Sequence, residues 1–162
     1  MSFKPVILVY DLDNKLVDEI AAEIGATGLY TSISTYNESN AMDAIKQYDR
    51  GFGFLTNKLS CVITGWNNYK KPRDQFLYRL RAVEKGSPLR DATPVIIVTE
   101  DHREDLKRRA LDKKDGAACG YLHPDTFKQA LTEMLHKVVF QKGESELNQQ
   151  ALDELNNVDH AD

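Results

Sequence analysis

The chain contains 162 residues, of which 21 are Lys or Arg and 25 are Asp or Glu, so its formal net charge is −4. This length fits one domain of common size with a short additional segment. A hydrophobic fraction of 41%, beside 28% charged residues, is sufficient for a packed core and argues against global disorder. We therefore expect a soluble globular protein.

The acidic residues are concentrated at one end of the chain. Residues 141–162 contain one Lys and six Asp or Glu, a net charge of −5, and the remaining 20 basic and 19 acidic residues leave +1 for the body. A nearly neutral body with an acidic tail has neither the basic surface that binds nucleic acid nor a polybasic membrane anchor. We therefore expect no nucleic-acid partner and no membrane partner.

The first apolar segment and the two cysteines bear on localisation. Val6–Tyr10 is far too short for a membrane-spanning helix or for the apolar part of a signal peptide. Cys61 and Cys119 lie in separate apolar segments, and two cysteines so far apart form neither a disulfide framework nor a zinc motif. We interpret them as buried free thiols of a cytoplasmic protein.

The first strand and the first helix are predicted between residues 6 and 25. Val6–Tyr10 is rich in β-branched side chains, which is typical of a strand buried on both faces of a parallel sheet. Asp13 or Asn14 can cap the following helix, and Gly25 is expected to end it. Its apolar face has a four-residue spacing, formed by Leu16, Ile20 and Ile24.

The second strand and helix follow directly. Residues 29–35 form a weaker β-like stretch, after which Asn37 or Ser39 can cap a helix that Gly51 is expected to end. The apolar residues of this helix recur at the i, i+3, i+4, i+7 spacing of one helical face, namely Ala41, Ala44, Ile45 and Tyr48.

The third strand is predicted at Cys61–Thr64. The polar segment 67–73 contains one proline and predicts a loop. The helix that follows is expected to end before Gly86, and its apolar face consists of Phe76, Leu77, Leu80 and Val83.

The fourth strand, Pro94–Thr99, is the clearest buried strand in the sequence. Asp101 with Glu104 resembles a capping box at the start of a helix that extends to about Lys113. A turn at Asp115–Gly116 follows that helix.

The fifth strand is predicted at Ala118–Leu122, and Thr126 with Gln129 starts a last core helix that extends to about Val139. The acidic tail predicts one further helix, over Ser145–Val158 after a break at Gly143. Its apolar residues are spaced 0, 4, 8 and 11, at Leu147, Ala151, Leu155 and Val158. Two interpretations stay open: a docking helix for a partner or a second copy, or a partly frayed acidic extension.

The alternation of five strands with five helices predicts a doubly wound α/β fold with a parallel sheet covered on both faces. In such sheets functional groups gather beyond the carboxyl ends of the strands. The segments at those ends are residues 11–13, 65–67, 99–101 and 121–124.

Taken together, the strand-end segments resemble the receiver domain of two-component response regulators (CheY-like). The matching segments are Val6–Asp11, Cys61–Asn67, Thr93–Thr99 and Gly116–Pro124. The resemblance covers roughly residues 4–140 and implies a flavodoxin-like sheet of order 2-1-3-4-5. We therefore expect a receiver-like domain at 1–140 and an acidic C-terminal extension, with the predicted helix, at 141–162.

The resemblance also implies a chemistry, in which an aspartate after the third strand takes a phosphoryl group from a histidine. Acids after the first strand hold a divalent cation, and a hydroxyl and a lysine after the fourth and fifth strands contact the phosphoryl group. Gly65 occupies the acceptor position, and glycine has no side chain to accept the group. Only Asp11 stands at the end of the first strand, because Leu12 follows it and Asp13 comes one residue later.

The remaining positions of the motif are partly kept. Thr99 matches the switch hydroxyl or is only a strand-end threonine. Tyr121 matches the aromatic residue that responds to that hydroxyl or is a half-buried packing residue, and packing is the favoured interpretation. His123 stands in the region of the lysine, with one residue fewer before Pro124, and a mostly neutral imidazole is a weaker phosphate ligand. Asp11 and Asp13 are either a residual Mg²⁺ site or helix-capping residues, and capping is the favoured interpretation.

These departures predict a degenerate receiver, or pseudo-receiver, that is not an enzyme and acts in phosphorelay signalling through protein contacts. Its partners would be signalling proteins, either a histidine kinase or a downstream effector. The expected surface is formed by the fourth helix, fifth strand and fifth helix, around Thr99 and Tyr121 and including residues 101–113. A homodimer through that face or through the extension is a further expectation.

Two alternatives remain open. One is a receiver phosphorylated at a non-standard residue, for which Asp13, Asp74 and Thr64 are the candidates. The other is a receiver-like regulatory or assembly domain of a larger enzyme, such as the domain that begins some pyridoxal-phosphate decarboxylases. We expect no catalytic domain within these 162 residues, because the sequence ends shortly after the extension.

Overall fold

The fold is taken from a computed structural model, which describes residues 4–49, 59–66, 74–86 and 92–159. Within these ranges five parallel strands form one sheet. In chain order they are β1 (Val6–Tyr10), β2 (Thr31–Thr35), β3 (Leu59–Thr64), β4 (Val95–Val98) and β5 (Gly120–Leu122). Their order in the sheet is β2-β1-β3-β4-β5. This confirms the doubly wound α/β fold with strand order 2-1-3-4-5.

Six helices are present in the same ranges. They are α1 (Asn14–Thr27), α2 (Glu38–Asp49), α3 (Asp74–Lys85), α4 (Glu104–Leu111), α5 (Phe127–Gln141) and α6 (Glu144–Asp159). The helix predicted in the acidic tail is therefore formed. None of the described helices is long and apolar enough to cross a lipid bilayer.

The core has two layers, one on each face of the sheet. Alternate strand residues point to opposite faces, so Leu8 and Val62 pack against α2, α3 and α4, whereas Val9 and Ile63 pack against α1 and α5. This double covering explains why β1 and β4 are apolar along their whole length. Cys61 and Cys119 are both buried free thiols, as predicted.

The boundaries of α1 and α4 differ from the sequence prediction. Helix α1 continues through Gly25 to Thr27, because Gly28, with φ 69°, adopts the left-handed conformation and donates its N–H to the Gly25 carbonyl. At α4 the predicted capping box is absent. Arg103 occupies the N-cap position without a side-chain cap bond, and the helix ends at Leu111, two residues before Lys113.

Other predicted caps have mixed outcomes. Asn37 accepts a hydrogen bond from the Asn40 N–H at 2.8 Å and so caps α2. Thr126 precedes α5 but makes no side-chain cap bond, and α5 extends two residues past Val139. The predicted helix end at Gly51 and the predicted loop at 67–73 lie outside the described residues.

Arg81 fixes the segments that enter β4 and β5. Its side chain is buried, pairs with Glu84 at 3.0 Å, and donates to the carbonyls of Thr93 and Gly116 at 2.8 and 2.9 Å. A buried guanidinium is tolerable only when its charge and its donors are satisfied in this way. The arrangement holds the strands that carry Thr99 and Tyr121 in register.

Candidate functional site

The predicted site residues lie where parallel strands end at one edge of the sheet. Tyr10 pairs with Thr64, and Thr64 pairs with Ile97, so β1, β3 and β4 end side by side. Asp11, Gly65 and Thr99 follow these strands, and the structure places them along a common edge. The residues that the resemblance selects are therefore brought to one place.

The two acids after β1 have different roles. Asp11 is buried, and one of its carboxylate oxygens accepts the Asp13 N–H at 2.9 Å. Asp13 is exposed, and its carboxylate accepts the Leu16 N–H at 3.2 Å, which makes it the N-cap of α1. Leu12 lies between them and is 43% exposed. Asp13 is thus committed to capping, in agreement with the favoured interpretation.

The segment after β3 contains a buried aromatic side chain. Gly65 is buried. Trp66 is completely buried, and its indole N–H donates to the Leu106 carbonyl of α4 at 2.9 Å. Tyr78 packs edge-on against the indole, with ring centroids 5.9 Å apart. Trp66 therefore belongs to the core between α3 and α4.

Thr99 and Tyr121 are linked through the β4–α4 segment. The Thr99 hydroxyl accepts the Asp101 N–H at 3.3 Å, and the Tyr121 hydroxyl donates to the Asp101 carbonyl at 2.6 Å. The Asp101 carboxylate is held by the Arg103 guanidinium at 2.7 Å. That hydrogen bond lowers the pKa of Asp101. This pairing explains why Asp101 does not form the predicted capping box.

Two histidines lie beside Tyr121. The His102 ring packs edge-on against the Tyr121 ring at 5.0 Å and lies 5.3 Å from the His123 ring. Nε2 of His102 is 2.9 Å from the Thr99 carbonyl. Burial, followed by the charge of Lys107, lowers the pKa of His102. His123 instead faces its own loop, where Nδ1 accepts the Asp125 N–H at 3.1 Å.

Solved structures share this arrangement of strands and helices. The chain is similar to a response regulator receiver domain protein from Clostridium thermocellum, with 21% identity over 85% of this chain and 96% of that chain and a TM-score of 0.62. A signal receiver domain of an HD domain-containing protein from Pseudomonas fluorescens matches with 16% identity over 99% of this chain and 96% of that chain, at a TM-score of 0.62. The chain has the receiver-domain fold.

A third match is a co-crystal structure from Saccharomyces cerevisiae. It contains the histidine phosphotransfer protein Ypd1 and the receiver domain of its downstream response regulator Ssk1, with 16% identity, coverage of 88% of this chain and 94% of that chain, and a TM-score of 0.62. The sequence matches no protein-family model and no curated protein. These identities establish the fold and leave the chemistry to the residues themselves.

The Mg²⁺ ion implied by the receiver fold does not suit the residues found at this edge. Asp13 caps α1, Gly65 contributes no side chain, and Asp11 is left as a single strand-end carboxylate. In the described ranges no group of three His, Cys, Asp or Glu side chains is placed to hold a metal ion. Mg²⁺ normally requires more oxygen ligands in octahedral geometry than this edge supplies.

The receiver fold carries an addition on its α4–β5–α5 face, because helix α6 packs against all three of these elements. Asn148 is 5% exposed, and its side-chain amide donates to the carbonyls of Leu111 and Ala118, both at 2.7 Å. Leu155 is buried nearby. The face that the sequence predicts as a partner surface is thus covered by the chain's own helix.

Three polar contacts at the edges of α6 add to this docking. Lys113 donates to Gln149 at 2.7 Å, Arg108 donates to Asn156 at 3.0 Å, and Lys137 pairs with Glu146 at 3.1 Å. Sequence reasoning missed Asn148. The sequence pattern could have identified it, because Asn148, Ala151 and Leu155 have the i, i+3, i+7 spacing of one helical face. A polar residue on that otherwise apolar face predicts a buried hydrogen bond.

Proposed function

We propose that this chain is a pseudo-receiver that acts in two-component or phosphorelay signalling through protein contacts. It is not phosphorylated at the position of the family's aspartate, and it is not an enzyme. The observation that carries the proposal is Gly65, buried at the end of β3 in a receiver fold. A glycine has no carboxylate to form an acyl phosphate.

The neighbouring positions support the same conclusion. Phosphoryl transfer depends on cations and hydrogen-bond donors that neutralise the transferred group. Here Leu12 replaces the second acid, Asp13 is a helix cap, and His123 stands where the lysine is expected. Three separate substitutions therefore remove the acceptor, one metal ligand and the cationic ligand.

The switch residues are engaged without a phosphoryl group. The Tyr121 hydroxyl is bonded to the Asp101 carbonyl, and Arg103 holds the Asp101 carboxylate. This network ties the segment between β4 and α4 to Tyr121 of β5. A surface that is ordered by the chain's own hydrogen bonds suits a protein that acts by binding.

Signalling proteins are the proposed partners, either a histidine kinase or a downstream effector. Because α6 lies over β5, a partner of the α4–β5–α5 face first meets α6 and the outer side of α4. A homodimer built on this face would use the same composite surface. Helix α6 contributes negative charge to this composite surface, because it carries Glu144, Glu146, Asp153 and Glu154.

Phosphorylation can be tested directly. The chain is incubated with acetyl phosphate and Mg²⁺, and the intact mass is measured beside a phosphorylatable receiver domain as positive control. We expect no acid-stable or hydroxylamine-sensitive adduct on this chain. Stable incorporation on an aspartate overturns the proposal.

The same samples test the non-standard acceptors. After exposure to a histidine kinase, peptide mapping would locate any phosphoryl group on Asp13, Thr64 or Asp74. We expect none on Thr64, because its side chain is buried at 2% exposure. We expect none on Asp13, because its carboxylate caps α1.

A further inference from the structure

A cavity of about 520 Å³ lies beneath α6, between that helix and α4, β5 and α5. The cavity is partly open to solvent, so it is a cleft in the surface and not a void in the packed core. The volume falls within the range of about 300–1,000 Å³ that is typical of small-molecule sites. The space is therefore large enough to hold a small molecule.

Helix α6, which carries several of the lining residues, is anchored to the domain by polar bonds. Asn148 donates to Leu111 at the end of α4 and to Ala118 before β5, both at 2.7 Å. These two bonds have strict geometry and set the height of α6 above the sheet. A helix held only by apolar contacts can slide along the surface, whereas the two Asn148 hydrogen bonds restrict sliding of α6.

The interior of the cavity is apolar. Its buried floor consists of Leu111, Cys119, Gly120 and Leu155, and half-buried Met134 and Ala151 complete the walls. Burial raises the pKa of the Cys119 thiol to about 12, so it is uncharged. The interior thus favours an apolar body.

Polar groups stand at the rim, and their charges nearly cancel. Lys107 is the one cation among the lining residues, and the carboxylates there are Glu104 and Glu154. Glu104 is already paired with Arg108 at 3.0 Å, which leaves one positive and one negative group. Gln150 and His102 add neutral hydrogen-bonding groups. This balance disfavours a ligand with a net charge.

The cavity also touches the switch residue Tyr121 and the neighbouring His102. Tyr121 and His102 both line it. Tyr121 donates to the Asp101 carbonyl, and His102 contacts the Thr99 carbonyl. A molecule in the cavity would therefore contact the segment that responds to phosphorylation in receivers with an acceptor.

We infer that the space beneath α6 is a binding site for a small uncharged molecule with an apolar body and one hydroxyl or amide group. The apolar body lies against Met134 and Ala151, and the polar group bonds at the rim with Gln150 or His102. This inference rests on the proposed function, since the ligand replaces the phosphoryl group as the input to Tyr121.

The test uses three probes with the same ring system and different charge: naphthol, naphthoate and naphthylmethylamine. Each is titrated into the full chain at neutral pH, and binding is followed by calorimetry and by the NMR signals of Tyr121 and the Met134 methyl group. We expect saturable one-to-one binding of naphthol with a dissociation constant on the order of 0.1 mM, and at least about tenfold weaker binding of both charged probes.

Variants locate the site. Ala151→Leu places a larger side chain in the cavity and is expected to weaken naphthol binding by about tenfold or more, without lowering the melting temperature. Leu147→Phe fills the same space from another turn of α6 and replaces Ala151→Leu if that variant does not fold. The matched control is Ala22→Leu, on the exposed side of α1, which retains full binding.

Each outcome decides the question. Naphthol binding that both filling variants weaken supports the inference. Absence of saturable binding, binding insensitive to both filling variants, or tighter binding of a charged probe overturns it. No phosphodonor is present, so failure here is separate from the result of the phosphorylation test.

Discussion

The strand-end edge and the α4–β5–α5 face differ in the polar groups that they carry. At the edge, Gly65 and Leu12 carry no carboxylate, and the Asp13 carboxylate caps α1. On the face, α6 has added a helix with a buried polar anchor at Asn148. The sheet is that of the receiver fold, whereas the edge is poor in carboxylates and the face is covered by a sixth helix.

This contrast matters because a phosphorylation pocket and a docked helix depend on different features. A phosphorylation pocket needs every one of its ligands, because each one neutralises part of the same charge. A docked helix depends on area and a few buried bonds, which an added segment can supply. Buried polar groups are costly unless satisfied, so the two 2.7 Å bonds of Asn148 fix one position of α6.

The largest expected effect is a gain of phosphorylation at the strand-end edge. Gly65→Asp alone restores the acceptor but not its surroundings, and we expect it to remain unlabelled by acetyl phosphate and Mg²⁺. The triple variant Leu12→Asp, Gly65→Asp, His123→Lys restores acceptor, metal ligand and cation together, and we expect labelling that intact mass detects.

The single variant is the matched control for the triple one. Circular dichroism and the melting temperature establish that both are folded. Labelling of Gly65→Asp alone would mean that the remaining residues still support phosphoryl transfer. A folded but unlabelled triple variant would mean that these three positions do not account for the loss.

The next largest effect concerns the added helix. In Asn148→Asp a buried carboxylate faces two carbonyl oxygens that now have no donor. We expect the free energy of unfolding in urea to fall by about 3 kcal/mol at neutral pH. Because the folded state raises the pKa of this new carboxyl, stability is retained at acidic pH and lost as pH rises through that pKa.

The same substitution on the exposed side of α6 provides its control. Asn156 accepts a hydrogen bond from Arg108 at 3.0 Å, and Asn156→Asp converts it into an ion pair. We expect a change within about 0.5 kcal/mol. Equal losses in the two variants would show that α6 is not anchored at Asn148.

Much of the fold could be predicted from the sequence, because apolar runs and helical spacing follow from burial. Val6–Tyr10 and the α6 spacing are examples, and both elements form. Local polar signals were less reliable. Asp101 with Glu104 looks like a capping box, yet Arg103 competes for the carboxylate at 2.7 Å. The docking of α6 depends on contacts between distant segments, which no local pattern contains.

A smaller effect tests the contact between Tyr121 and Asp101, which links β5 to the segment between β4 and α4. Tyr121→Phe removes the 2.6 Å hydrogen bond to the Asp101 carbonyl, and we expect a loss of about 1 kcal/mol in the free energy of unfolding. Tyr36→Phe is the control, because its hydroxyl bonds to Asp18 at the exposed surface. We expect a loss below about 0.5 kcal/mol there. If the two losses are equal, the Asp101 contact has no special role.

The smallest effect is a pH dependence that reports on the same link. His102 packs against Tyr121 and His123, and burial together with Lys107 lowers its pKa. The unfolded chain therefore binds this proton more readily. Stability is complete above the ordinary histidine pKa of about 6.5 and is lost as pH falls through the folded value. The lowered pKa of Asp101 adds a further loss only at more acidic pH.

We expect His102→Gln to flatten the dependence of unfolding free energy on pH between about pH 7 and about pH 5, measured by urea denaturation. His136→Gln, on the exposed side of α5, is the matched control and is expected to leave the slope unchanged. An unchanged slope in His102→Gln would remove this histidine from the network. A flattened slope would mean that the partly desolvated His102 ring titrates while its contacts with Thr99 and Tyr121 are in place. The pH profile would then report on the contacts of His102 with Thr99 and Tyr121, which connect the strand-end edge to the face covered by α6.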